Sequence, residues 1–205
     1  MSVAVIDYDP AMGRWQPDAP GRLAEAALAL YGERGFENTT VAEIAERAGV
    51  TERTFFRHFA DKREVLFSGG GALQELLVTT VADAPASLAP IDAIATGLEA
   101  VGAQLQERRD FARRRAVVIA ANAELREREL IKLASWSAAL ADMLRRRGVD
   151  DPAASLVAEV GIAVFRIAFD RWTADPGQRD LPETVRESLD QLRVLAAPPL
   201  LSRST

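Results

Sequence analysis

The residues best placed to do chemistry are Thr51-Glu52-Arg53-Thr54-Phe55-Phe56-Arg57-His58-Phe59. Wound as a helix at about 100° per residue, Phe55 and Phe59 fall on one side, and that side must pack. Arg53 and Arg57 then point almost the opposite way, flanked by Thr54 and Phe56. A guanidinium pairs bidentately with the O6 and N7 of guanine, so such a helix suits the reading of base edges. A small amphipathic helix with merely solvated arginines fits the same spacing. Other chemistries find little support. The chain has no cysteine and a single histidine, His58, which removes disulfides, thiolate metal sites and a cysteine nucleophile. Its Asp and Glu residues lie at spacings ordinary for solvated helix faces, so no metal, cofactor or catalytic set is expected.

The flanking residues supply the elements that hold this helix. Thr40 and Glu43 have capping-box spacing, and Val41, Ile44, Ala45 and Ala48 recur at helical intervals behind them. Gly49 ends that helix, Val50 fills the corner, and Thr51 is the N-cap of the next. Two short helices about a tight turn make a helix-turn-helix, which places its second helix in the DNA major groove. A second box, Asp61 with Glu64, predicts a further helix with Lys62 in its first turn. Ahead of the pair, a bracing helix is predicted from about Pro20 to Arg34, with Leu23, Ala27, Leu30 and Tyr31 on one face. Gly35 stops it and Phe36 turns back toward the core.

The stretch resembles the tetracycline-repressor (TetR) family of bacterial transcription regulators. The matching residues are Gly35-Phe36, Thr39-Thr40-Val41, Ile44-Ala45, Ala48-Gly49-Val50-Thr51, Thr54-Phe55-Phe56, His58-Phe59, Lys62 and Leu66. The resemblance implies an all-helical homodimer with a DNA-binding head and a larger body that binds a small effector and releases an inverted-repeat operator. It implies phosphate contacts from Thr40, Thr51 and Lys62, base reading by Arg53 and Arg57, and further DNA contacts from Glu52, Thr54 and His58. Phe56 stands where the family usually has tyrosine; without a hydroxyl it is expected to pack only. Glu124-Leu125 and Arg171-Trp172 resemble the mycofactocin group of TetR-type regulators and favour an apolar, acyl-like effector. The alternative is a helical protein-interaction module that keeps the helix-turn-helix only as packing.

The whole chain agrees with an all-α fold. Its 205 residues, 48% hydrophobic, allow a sizeable core,, and alternating β-branched runs are missing. The net charge of −5 argues against bulk attraction to nucleic acid. Basic residues are concentrated locally, with Arg53, Arg57, Lys62 and Arg63 set against Glu52 and Asp61 between positions 51 and 63. The first ten residues show no basic leader, and no long uncharged apolar run follows, so a cytoplasmic protein without a membrane anchor is expected.

The predicted organisation is a flexible arm (1–17), a helix-turn-helix domain (18–67), an effector-binding and dimerisation domain (68–196) and a loose tail (197–205). Arg14 and Trp15 in the arm are alternatively minor-groove contacts. The helix opened at Lys62 is expected to run through Gly69-Gly70-Gly71, which acts either as a hinge or as the site of a close helix crossing. A helix follows from Ile91 to about Arg108, then two over 111–147 with a bend at Asn122-Ala123. The triplet Arg145-Arg146-Arg147, capped by Gly148, is read as structural. Arg113-Arg114-Arg115 is read as a solvated face, or as bearing one arginine turned inward toward an acidic ligand. Candidate effector-pocket residues are Leu98, Val101, Phe111, Val118, Asn122, Trp136, Phe165 and Phe169. The last two helices, from Pro152 and Pro182, carry the candidate dimer interface: Leu156, Val157, Val160, Gly161, Val164, Val185, Leu189 and Leu192.

Overall fold

Every regular element among the described residues, 19–177 and 179–197 of this computed structural model, is helical. The expected arm and all but the first residue of the expected tail lie outside them. In chain order the elements are α1 (Ala19–Arg34), α2 (Val41–Arg47), α3 (Glu52–His58), a 3-10 turn (Glu64–Phe67), α4 (Gly70–Asp83), α5 (Pro90–Gln106), α6 (Arg109–Ala121), α7 (Ala123–Arg146), α8 (Ala153–Ala174) and α9 (Leu181–Ala196). The bend expected at Asn122 is there, where extended backbone separates α6 from α7.

Two apolar cores organise these helices. The first joins Leu23, Leu30 and Tyr31 of α1, Ile44 of α2, Phe55 of α3 with Phe59 just beyond its end, and Val65, Leu66 and Phe67. It does not stop at residue 67. Val118, Ile119 and Leu125, from the elbow between α6 and α7, are buried in the same cluster. The second core fills the body around α5, whose Ile94, Leu98 and Val101 meet Leu77 and Val81 of α4, Leu140 and Leu144 of α7, Phe165 and Trp172 of α8, and Val185 of α9.

Small residues let the body close this tightly. A Cβ on Gly97 of α5 would stand 2.9 Å from side-chain atoms of Leu77 and Val81 and 3.0 Å from the Leu77 carbonyl oxygen. One on Gly161 of α8 would stand 2.6 Å from Ile94. The close helix crossings are therefore here and not at the glycine triplet, where nothing lies within 4 Å of a Cβ built on Gly69, Gly70 or Gly71.

The join of head and body corrects the expectation of one continuous helix from Lys62. The Asp61 carboxylate accepts the backbone N–H groups of Arg63 (2.8 Å) and Glu64 (3.2 Å), and the chain makes a single 3-10 turn. Gly69 then takes φ +85°, a left-handed conformation that glycine adopts without a Cβ clash. Only after it does α4 begin. Glu64–Asp83 has the length and apolarity of a membrane span, but Gly69 interrupts it and Val65, Leu66, Leu77 and Val81 are buried against other helices.

At the far end of α4, Arg147 donates to the carbonyl oxygens of Val81 (3.0 Å), Ala82 (3.2 Å), Ala84 (2.7 Å) and Pro85 (2.9 Å). The basic triplet ending α7 is thus structural, but its last arginine serves the C-terminus of a neighbouring helix, where a cation is favoured.

Two alanine substitutions should behave oppositely. Gly97→Ala overpacks the α4–α5 crossing and is expected to cost about 1–3 kcal/mol. Gly71→Ala meets open space at a helical position and should be neutral or stabilising by up to about 1 kcal/mol. Denaturant unfolding of the two variants checks this; equal destabilisation by both would refute the placement of the crossing.

Candidate DNA-reading head and ligand cavity

The capping box of α2 forms as its sequence implies. Thr40 Oγ1 accepts the Glu43 N–H (3.2 Å), and Glu43 Oε2 accepts the Thr40 N–H (2.8 Å). Thr51 Oγ1 accepts the Thr54 N–H at 3.2 Å and starts α3. Phe55 is fully buried and Phe59 nearly so, which turns Glu52, Arg53, Phe56, Arg57 and His58 outward. Among the described residues Arg53 has no hydrogen-bond or ion-pair partner, and Arg57 touches only His58, at 3.4 Å. Phe56 is 55% exposed, with its ring edge-on to Phe55. It lies on the outward side with the arginines it flanks, and packs only against Phe55 among the aromatic rings.

Lys62 also has a different task from the phosphate contact expected of it. Its ammonium donates to the carbonyl oxygens of Phe36 (2.8 Å), Glu37 (3.2 Å) and Thr39 (3.0 Å) and lies 4.4 Å from the centroid of the Phe36 ring. All three of its donors are taken. The residue staples the α1–α2 loop, and the Tyr31 hydroxyl adds a 2.6 Å bond to the Lys62 carbonyl. Burial pushes the Tyr31 pKa up, with the Asp61 charge adding to the effect.

A cavity of about 530 Å³ opens below the head. Leu73, Leu76, Leu105, Leu133, Trp136, Phe165 and Phe169 give it apolar walls, while Leu66 to Gly70 form part of its boundary. Trp136, Phe165 and Phe169 stand in a row with ring centroids about 6 Å apart. Arg108, Arg115, Lys132 and Arg166 also line it, with Glu129 and Asp170.

Arg115 is the most committed of these cations. Its Nε donates to the Leu66 carbonyl oxygen at 2.7 Å, its Nη1 to Glu129 Oε1 at 3.0 Å, and its guanidinium lies 4.8 Å from the centre of the Phe67 ring. Burial lowers its pKa and Glu129 opposes that. Glu64, beside Leu66, pairs with Arg128 and Lys132. Burial raises the pKa of Asp170 against the pull of Arg166.

A model described as bacterial regulatory proteins, tetR family, matches residues 23–68, and one described as the MftR C-terminal domain matches residues 88–196. The chain belongs to the TetR family. The first match makes its head the DNA-binding domain of a bacterial transcription regulator, and the packing-only alternative for the helix-turn-helix is set aside.

Among its relatives is the HTH-type transcriptional regulator TcmR of Streptomyces glaucescens, 35% identical over 46% of this chain and 47% of that protein. The chain thus spans about half of TcmR. MftR of Mycobacterium tuberculosis, named for mycofactocin biosynthesis, is 24% identical over 83% of this chain and 87% of its own. Solved TetR-type structures share the fold. Thermus thermophilus FadR, in complex with lauroyl-CoA, has a TM-score of 0.51 at 22% identity, covering 91% of this chain and 99% of that one. SmeT of Stenotrophomonas maltophilia, in complex with triclosan, has a TM-score of 0.62 at 20% identity, covering 86% and 90%.

Within this TetR architecture the eight expected pocket residues divide between the cavity, the packed cores and the end of α6. Phe111, Trp136, Phe165 and Phe169 line the cavity. Leu98 and Val101 are solid body core, Val118 belongs to the head core, and the Asn122 amide donates to the Val118 carbonyl at the α6 terminus (2.6 Å). The arginine triplet is not a solvated face. Arg113 bonds the Thr173 carbonyl, Arg114 pairs with Glu25, and Arg115 turns inward to the cavity wall. That inward arginine was the available signal for the basic side of the site.

The residues expected at the dimer face divide as well. Gly161, Val164, Val185 and Leu189 are buried within the chain, the first against Ile94 and the second and fourth with Ala95. Val157 packs partly against the body core, and Leu192 against the small cluster of Ala95, Val164 and Leu189. Leu156 and Val160 remain exposed and are joined on the outer face of α8 by Ile167.

Removal of the Arg115 side chain should strand two groups. Arg115→Met leaves Glu129 and the Leu66 carbonyl without their donor and is expected to destabilise by roughly 1–3 kcal/mol. Arg115→Met with Glu129→Met should recover part of that loss, measured as a coupling in a double-mutant cycle by chemical unfolding. Strict additivity would show that the pair is not an interacting unit.

Proposed function

We propose that this TetR-family regulator is a repressor whose two heads bind an inverted-repeat operator and are released when a small, largely apolar molecule fills the cavity. The observation that carries this reading is the shared wall: Leu66, Phe67, Ser68, Gly69 and Gly70 belong to the join with the head and line the cavity at once. An occupant there touches the segment that sets the head's position. Apolar side chains dominate the lining, and the fold neighbours' ligands, lauroyl-CoA and triclosan, each have a large apolar part.

In this proposal Arg53 and Arg57 read base edges, Glu52, Thr54 and His58 lie beside them, and Thr40 and Thr51 sit at phosphates. Lys62 contributes its charge and holds the loop. The second copy docks on the outer face of α8, through Leu156, Val160 and Ile167, where apolar side chains at spacings of four and seven form one stripe,. The reading has no catalytic step and places the protein in the cytoplasm with its operator. It treats residues 18–67 as the DNA-binding domain and 68–196 as the effector-binding and dimerisation domain.

Selection of bound sequences from random DNA, followed by a screen for apolar metabolites that release them, tests the whole. Arg57→Ala should cost roughly 1–3 kcal/mol in operator binding and relax the preference at its base pair. An unchanged selected sequence would remove Arg57 from base reading. Val160→Arg and Ile167→Arg should fold normally, since both sites are exposed, but sediment as monomers with poor operator affinity. Intact dimers from both would move the interface off this face.

A further inference from the structure

We propose that Phe56 reads the 5-methyl group of one thymine in each operator half-site, an inference that rests on α3 lying in the major groove. On the surface of α3 the ring sits about 60° around the axis from Arg53, within the same outward arc as Arg53 and Arg57. It is 55% exposed, although phenylalanine is a side chain that ordinarily packs inside,. Its position is braced. The ring stands edge-on to Phe55, 5.4 Å between centroids at 79°, and Phe55 is itself fully buried in the head core. A large apolar surface is thereby held facing whatever α3 docks against.

The chemistry of that ring narrows what it can recognise. Phenylalanine has neither donor nor acceptor, so it cannot bond a phosphate oxygen or the polar edge of any base. Its negative π-face gains nothing from a phosphate. In the major groove the apolar feature that differs between base pairs is the thymine methyl, and apolar side chains contact it. Tyrosine at this position would carry a hydroxyl able to anchor to the backbone. Phenylalanine exchanges an anchoring contact for a sequence-reading one.

The test uses the full chain and an operator selected from random DNA. Each thymine is replaced in turn by deoxyuridine, which deletes only the methyl group, and binding is titrated for the wild type, Phe56→Ala and Phe56→Leu. At one symmetric pair of positions the wild type should lose about fourfold in affinity per half-site, the effect of one buried methyl. Phe56→Ala should be indifferent to the replacement there, and Phe56→Leu should keep part of the dependence. The inference is overturned if no thymine is sensitive in the wild type, or if Phe56→Ala retains the same sensitivity. Weakening of all operators alike by Phe56→Ala, with no thymine dependence, would put the ring on the sugar backbone and overturn it too. Failure to select any sequence would instead sink the DNA-binding reading, and this inference with it.

Discussion

Burial of Val118, Ile119 and Leu125 under α1 and the helix-turn-helix joins the two halves of the molecule. A head of about fifty residues has a small interior of its own, and the α6–α7 elbow enlarges it. One consequence is positional: α1, against which both α2 and α3 pack, is itself seated on α6 from much further along the chain. Another is that whatever displaces the elbow or the 3-10 turn moves the head as well. Arg115 lies at that boundary, bonded on one side to the Leu66 carbonyl and on the other to Glu129, both of which border the cavity.

Local rules were legible where local rules decide the structure. Capping at Thr40 and Thr51, the inward Phe55 and Phe59, the break at Asn122, the limits of α1 and the starts of α8 and α9 follow from cap chemistry and helical period. The errors share one cause. Apolar period says which face of a helix is inside and does not distinguish packed core from cavity wall, so by period alone Leu98 and Val101 look the same as Trp136 and Phe165. The same limit placed Gly161 and Val164 on a dimer seam, when α8 turns them toward α5 and presents Leu156, Val160 and Ile167 outward. At the glycine triplet, propensity counts the cost of three glycines within a helix. It does not reveal that Asp61 would wind a short turn first and leave Gly69 to reverse the backbone.

Charge is used with similar locality. The chain is acidic overall, yet the outer face of α3 keeps Arg53 and Arg57 clear of the ion pairs that occupy its neighbours, Arg34 with Glu43 and Arg47 with Glu33. Those exposed pairs contribute little to stability. They do keep nearby cations engaged with the protein, and they leave Arg53 and Arg57 on α3 without a carboxylate partner among the described residues.

Almost every cationic contact in the molecule is made by arginine. The sequence contains only two lysines, Lys62 and Lys132, one stapling the α1–α2 loop and the other at the cavity beside Glu64. Arginine remains protonated and resists acylation, whereas lysine is open to amine chemistry. The molecule therefore carries two natural side-chain amine handles in the described structure, one on each side of the join. Selective ¹⁵N labelling of lysine at Nζ, which leaves every donor hydrogen in place, would give each handle its own resonance. Head and cavity then become separately observable in one spectrum of an otherwise unaltered chain.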